Sequence, residues 1–266
     1  MPYKLYLWGS HSPIEWSQAA WKIGGGFIED CKAELIHDVL LRHLPKDGLG
    51  VDVGCGMGKW PIYLGRAGYR VVGLEISHEI CLAGRTLEPT VPMVRADGRQ
   101  TPLRTGCADA AVSLGVVEHD EAGPEQSLRE LRRILKPGGV LVLAVPFNNL
   151  FRRLLGNHLQ DYVTRKRRRA QIHLGFSEYR FSHREIRTHL AATGFEPIAD
   201  YPNDLKPPRL MGLWVDRENL RSDHLTDRGP RELFVIPGWQ GALARAALRY
   251  TPWLVCGEAT VVARAV

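Results

Sequence analysis

The chain has 266 residues, of which 44% are hydrophobic and 24% charged, with a formal net charge of +6. That length carries a sizeable core, and the balance excludes a disordered tail or a disulfide-stapled miniprotein. The five scattered cysteines (Cys31, Cys55, Cys81, Cys107 and Cys256) form no C-x-x-C pair, which argues against a disulfide framework or a zinc site and for reduced thiols in a cytoplasmic protein.

The first stretch, MPYKLYLWGSHSPIEW, has no basic start leading into a long apolar run, so it does not read as a secretory signal. Residues 28–44 place apolar groups at helical spacing, and Pro45 and Gly48 end that helix. A short apolar strand follows at 48–54, then a helix through KWPIYLGRAG with Gly68 as its stop. Strands are predicted at 69–77, 91–98, 107–116 and 140–146, with helices near 78–87 and 124–135 between them. The KPGG at the end of the second helix reads as a stop followed by a turn. The longest apolar run, GVLVLAVPF at 139–147, fits a buried strand and is too short to span a bilayer. This βαβαβ rhythm predicts a parallel sheet with helices on both faces.

After Pro146 the rhythm breaks. Residues 151–190 hold ten Arg/Lys against three Asp/Glu, a net of +7, so the rest of the chain is near neutral. RKRRR at 165–169 is the densest part. A helix and strand resume at 182–198, where Ser182 and Glu185 fit a capping box. Residues 202–250 read as a long irregular insertion, and GEATVVARA at 257–265 as a last strand.

VDVGCGMGKW at 51–60 carries the chemistry. Its glycines stand at alternate positions (Gly54, Gly56, Gly58). A dinucleotide loop requires its third glycine where Lys59 stands, and a triphosphate loop requires longer spacing with Ser or Thr where Trp60 stands. Alternate glycines instead let backbone N–H groups approach a ligand closely, at the positive end of the next helix. Asp52, Glu75 and Asp97 put one carboxylate at or near the carboxyl end of each of three consecutive strands, the edge at which open α/β sheets bind ligands.

VDVGCGMGKW, GLEIS, RADGRQTPLRTGCADAAVSLGVVEHD and LRELRRILKPGGVLVLAVP, in that order, resemble the successive motifs of class I S-adenosylmethionine-dependent methyltransferases of the small-molecule type 11 kind. The resemblance covers 30–146 strongly and 182–198 with 257–265 more weakly. It implies a Rossmann-like, seven-stranded, mostly parallel sheet whose last strand is antiparallel, with an N-terminal cap and insertions after strands 5 and 6. It implies one methyltransferase domain over 1–266: a cap at 1–29, a cofactor-binding core at 30–146, a basic insertion at 147–181, the end of the core at 182–201 with 257–265, and a substrate cap at 202–256. By resemblance, Gly54, Gly56 and Gly58 hold the methionine part of the cofactor, with Cys55 a small buried residue between them and Asp52 near the ammonium. Glu75 holds the ribose hydroxyls, Ile76 packs on adenine, and Asp97 with Gly98 reads the adenine amino group. Leu114 and Gly115 line the sulfonium side, and His119 lies near the cofactor edge.

Methyl transfer from a sulfonium needs positioning more than acid–base chemistry. His119 is the candidate base, and no metal is expected. Candidate acceptor-pocket residues are Trp21, Phe147, Tyr179, Arg180 and Trp214, under an N-terminal lid hinged at 24–26. The acceptor is expected to be a small molecule, methylated on oxygen before nitrogen or carbon. The basic segment suits an anionic, lipid-linked or carrier-linked substrate. An RNA methyltransferase is the rival reading. Against it, no RNA-binding domain is recognised, and SLGVVE stands where the amino-methylating nucleic-acid enzymes carry Pro-Pro-aromatic. A catalytically silent cofactor-binding partner is the third reading. A homodimer surface on the aromatic-rich insertion is a further expectation.

Overall fold

The structure is a computed structural model that describes residues 1–8, 28–207, 209–221 and 235–266. Trp21 and the hinge at 24–26 lie outside the described residues. The chain runs β1 (Tyr3–Trp8), α1 (Ile36–His43), β2 (Leu49–Val53), α2 (Lys59–Arg66), β3 (Arg70–Glu75), α3 (His78–Leu87), β4 (Met93–Arg95), β5 (Ala108–Leu114), α4 (Glu125–Ile134) and β6 (Leu135–Pro146). It continues with α5 (Asn157–Arg169), β7 (Leu174–Arg180), α6 (His183–Ala192), β8 (Phe195–Asn203), α7 (Met211–Arg221), α8 (Gly238–Tyr250), a short helix at Pro252–Val255, and β9 (Glu258–Ala265).

Seven strands form one sheet in the order β4-β3-β2-β5-β6-β9-β8. Pairs from β4 through β6 are parallel, and β9 is antiparallel to both β6 and β8. The sheet is therefore seven-stranded and mostly parallel with an antiparallel last strand. Strand order reverses between β2 and β5, which opens a crevice at their carboxyl ends.

Near-continuous apolar strands supply side chains to both faces. Leu141, Leu143 and Val145 of β6 join a core with Leu128, Leu131, Ile186 and Leu190 of α4 and α6. Val142 and Ala144, pointing the other way, join Ile36, Leu40, Trp60 and Leu64 of α1 and α2. The capping box of α6 is present: Glu185 donates its N–H to Ser182 Oγ, and the Ser182 N–H donates to Glu185 Oε2 at 2.9 Å. Ser182→Ala is expected to cost about 1 kcal/mol, measured as a lower urea midpoint with an unchanged slope.

Four local details differ from the expectations or add to them. The helix expected over 28–44 is a 3₁₀ segment, Ile28–Ala33, followed by α1, because Glu34 pairs its backbone with Leu205 and its carboxylate with Lys59. KPGG does follow the end of α4 and turn, with Gly138 at φ 75°, but the turn is a bulge within the start of β6: Leu135 pairs with Ala108 and Val140 with Ala110. The 202–250 stretch is not irregular throughout: α7 and α8 lie within it, and Pro237 caps the start of α8. At the N-terminus, residues 3–8 are a strand paired antiparallel with β7 in a separate two-stranded sheet.

Candidate functional site

The loop after β2 turns sharply under the crevice. Gly54, Gly56 and Gly58 all have positive φ, at 79°, 57° and 84°. At Gly54 a Cβ would also stand 2.3 Å from a Val116 methyl, so only glycine fits. Above Gly56 the space a Cβ would enter is empty to 4 Å, which leaves the backbone bare toward the cavity. The N–H groups of Gly54 and Cys55 donate to Leu74 O, that of Gly58 to Cys55 O, and that of Gly56 to Glu75 Oε2. Four loop amides are thus engaged within the protein. The loop offers a ligand close approach rather than these donors, which revises the expectation drawn from the glycines alone.

Asp52 and Glu75 are both 3% exposed. Burial and then the neighbouring Glu75 carboxylate push Asp52 up to about 7. Glu75 bridges two elements, accepting from the Gly56 N–H at 3.0 Å and the Ser77 N–H at 2.8 Å. Asp97 is clasped by Arg99, whose backbone N–H and guanidinium both donate to it. That hydrogen bonding holds its carboxyl below the ordinary range.

A cavity of about 330 Å³ gathers these groups at the carboxyl ends of β2, β3 and β5 and just beyond β4. Asp52, Gly54, Cys55, Gly56, Glu75, Ile76, Asp97, Gly98, Leu114, Gly115 and His119 all line it. Gly58 stands outside that lining, where it starts α2 and packs against Met93. Burial pushes the Cys55 thiol well up, which keeps it a thiol.

His119 closes one wall. Its Nδ1 lies 2.7 Å from Ser177 O of β7, which makes Nδ1 the protonated nitrogen. Burial lowers its pKa, so the ring is neutral and only weakly basic. Glu118 beside it is buried, and burial lifts its carboxyl far above the usual range, with Glu178 and Glu258 adding to the effect.

Of the acceptor-pocket residues named above, the four that are described, Phe147, Tyr179, Arg180 and Trp214, do not line this cavity. Phe147 and Trp214 belong to an apolar cluster with Leu210, Ile236 and Leu248. Tyr179 packs in the main core and donates its hydroxyl to Glu121 O. Arg180 is a buried ion-pair centre, bonded to Glu178 and Asp216. Sequence reasoning missed Met57, Lys59, Arg99 and Asp120, which also line the cavity. Arg99 had a local signal, since an arginine two residues past an aspartate in a turn can fold back onto it.

The arrangement is that of a doubly wound α/β domain with a crevice at its topological switch point. Residues 51–143 match a family described as "Methyltransferase domain", Methyltransf_11. Over 107 residues the chain is 35% identical to the malonyl-[acyl-carrier protein] O-methyltransferase of Pectobacterium atrosepticum, covering 40% of this chain and 42% of that protein. Over 111 residues it is 35% identical to a tRNA (carboxymethyluridine(34)-5-O)-methyltransferase of Arabidopsis thaliana, covering 40% of this chain and 26% of that one. The chain thus spans less than half the length of either relative. A chain from the complex of the Haloferax volcanii Trm112 methyltransferase activator with a methyltransferase shares the fold, with a TM-score of 0.62 at 20% identity, over 97% of this chain and 99% of that chain. The crevice-forming segment 51–143 is thus similar to a methyltransferase domain, and the solved structure shares its fold.

Proposed function

We propose that the protein transfers a methyl group from S-adenosylmethionine to an oxygen of a small-molecule acceptor. The observation that carries the reading is the single cavity bearing Asp52, Glu75 and Asp97 beside the open backbone of Gly56. The residues fit the cofactor's chemistry. Two buried carboxyl groups, one pushed up to about 7, suit an ammonium. Glu75 retains acceptor capacity for ribose hydroxyls, Ile76 provides an apolar face for adenine, and Asp97 accepts from its amino group. When bound, the cofactor supplies an activated methyl on a sulfonium.

The chain's own part is positioning. Leu114, Gly115 and His119 bound the acceptor side, and the neutral His119 orients an acceptor hydroxyl more readily than it deprotonates one. An already ionised oxygen needs no base. Oxygen is also the atom named for the two relatives above. One of those relatives is a tRNA enzyme, and the basic run 165–169 would suit a nucleic acid, so RNA is the second reading. Titration calorimetry with S-adenosylmethionine, then acceptor screening by mass for one added methylene, tests both. Methylation of carrier-linked or free carboxylates supports the first reading. Methylation of tRNA alone supports the second, and no cofactor binding overturns both.

Asp52 gives this reading a pH signature. An ammonium beside Asp52 favours its ionised form and lowers its pKa in the complex. Cofactor affinity is therefore expected to rise with pH through about 7 and to release protons on binding below that pH. In Asp52→Asn the rise is expected to vanish. Calorimetry in two buffers of different ionisation enthalpy checks the proton release, and equal slopes in both proteins would remove Asp52 from the ammonium's surroundings.

A further inference from the structure

Helix α5 and the π-helical turn before it, Arg152–Gly156, are built inside out. Arg152, Gln160 and Arg167 point inward and are buried. Arg152 donates to Phe147 O, Gly257 O and the Asp216 carboxylate. The outward face carries a run of apolar side chains: Phe151, Leu154, Leu155, Leu159 and Tyr162 are all exposed, Leu154 by 69% and Tyr162 by 63%, with the exposed Arg153 and His158 among them. The i, i+3, i+4, i+8, i+11 spacing of the apolar ones makes one stripe. The same stripe continues into Arg165, Lys166 and Arg169, also exposed. The one acid between 150 and 170, Asp161, is engaged by the Tyr3 hydroxyl at 2.8 Å.

We infer that this face docks on the surface of an anionic lipid bilayer. Exposed aliphatic side chains on a helix cost free energy in water and gain it in a hydrocarbon boundary. Cations at the end of the stripe gain from anionic headgroups, and long Arg and Lys side chains reach them over their own apolar stems. Tyrosine between the two zones suits the headgroup level. An anionic bilayer offers hydrocarbon and negative charge side by side. RNA would pair with the arginines but leaves Leu154, Leu155 and Leu159 in water, since single strands are gripped by aromatic stacking. A second copy would cover the leucines, but the one acid it brings from this segment, Asp161, is already engaged by Tyr3. The face is carried by the insertion that follows β6, and that insertion also supplies the Ser177 carbonyl to His119. Docking would thus hold the wall of the cavity near the lipid.

The test is flotation of the full chain with vesicles of phosphatidylcholine alone, or with about 30 mol% phosphatidylglycerol, at low and high salt. The expected result is binding to the anionic vesicles only, weakened by salt. Leu154→Asp with Leu155→Asp, and separately Arg165→Glu, Lys166→Glu with Arg169→Glu, are each expected to reduce the bound fraction about tenfold or more. Unchanged melting temperature and cofactor affinity in these variants would show that the fold and the cavity are intact. Binding kept by both variants, equal binding to neutral vesicles, or no vesicle binding by the parent chain overturns the inference. A dimer that Leu154→Asp with Leu155→Asp dissolves, without vesicle binding, assigns the face to a second copy. Polyuridylate binding lost only in the charge variant, without vesicle binding, assigns it to nucleic acid.

Discussion

Glu75→Ala is expected to weaken S-adenosylmethionine binding by one to two orders of magnitude. The carboxylate has two jobs at once. It accepts the Gly56 and Ser77 N–H groups, which ties the glycine loop to the start of α3. It also stands in the cavity wall where, in our proposal, ribose hydroxyls meet it. Each buried polar group left without its partner costs about 1–3 kcal/mol. One lost pair with the ligand alone thus gives about 5- to 150-fold. Part of the loss falls on the free protein, so Glu75→Ala should also melt earlier. Glu75→Gln keeps only one of the two acceptor oxygens and sets its NH2 group against the Gly56 or the Ser77 N–H, so it should recover the melting temperature only in part. Calorimetric titration beside thermal unfolding reads both. An alanine variant that binds as tightly as the parent would sink the assignment.

The parts of the fold that were legible in the sequence are those specified locally. Strand–glycine–helix chemistry at 51–60 lies within one turn of chain, and the acids Glu75 and Asp97 follow strands that read as apolar runs. What escaped is specified across the chain. YKLYLW has the period-two pattern of a strand, with Leu5 buried, yet its partner β7 lies more than 160 residues away. Pairing at that separation has no local signature. Phe147, Tyr179, Arg180 and Trp214 sit in segments that interrupt the core rhythm, and residue type alone could not say whether they face a pocket or one another. For Tyr179 and Trp214, the answer is core packing. The loop amides show the same limit: glycine spacing announces a tight turn, but only the tertiary fold reveals that Leu74 O and Glu75 have already claimed its donors.

Arg180→Ala is expected to destabilise the protein by about 3–5 kcal/mol, because it breaks a buried ion-pair network by removing one partner. The guanidinium is 2% exposed as a residue, with Nε 2.9 Å from Glu178 Oε1 and Nη2 2.8 Å from Asp216 Oδ1. Asp216 is shared with Arg152 at 2.7 Å. Burial alone would raise the Asp216 pKa, but Arg152 and Arg180 outweigh it and hold the carboxyl below its ordinary value. A carboxylate depressed in the folded state contributes stability above its unfolded pKa of about 3.9 and loses it as pH falls further. Without Arg180 that depression shrinks, and protonating Asp216 relieves what remains. The deficit of Arg180→Ala should therefore be largest near neutral pH and smaller in acid, read as urea midpoints at two pH values. An acceptor-pocket residue would behave otherwise, giving normal stability with lost turnover. Arg180→Met, which fills the volume without a charge, should recover little, since Glu178 and Asp216 keep their burial. The same guanidinium sits where β7, α7 and the turn before α5 meet. Loosening it should therefore also free the Ser177 carbonyl that sets the His119 tautomer, and methyl transfer should fall along with stability.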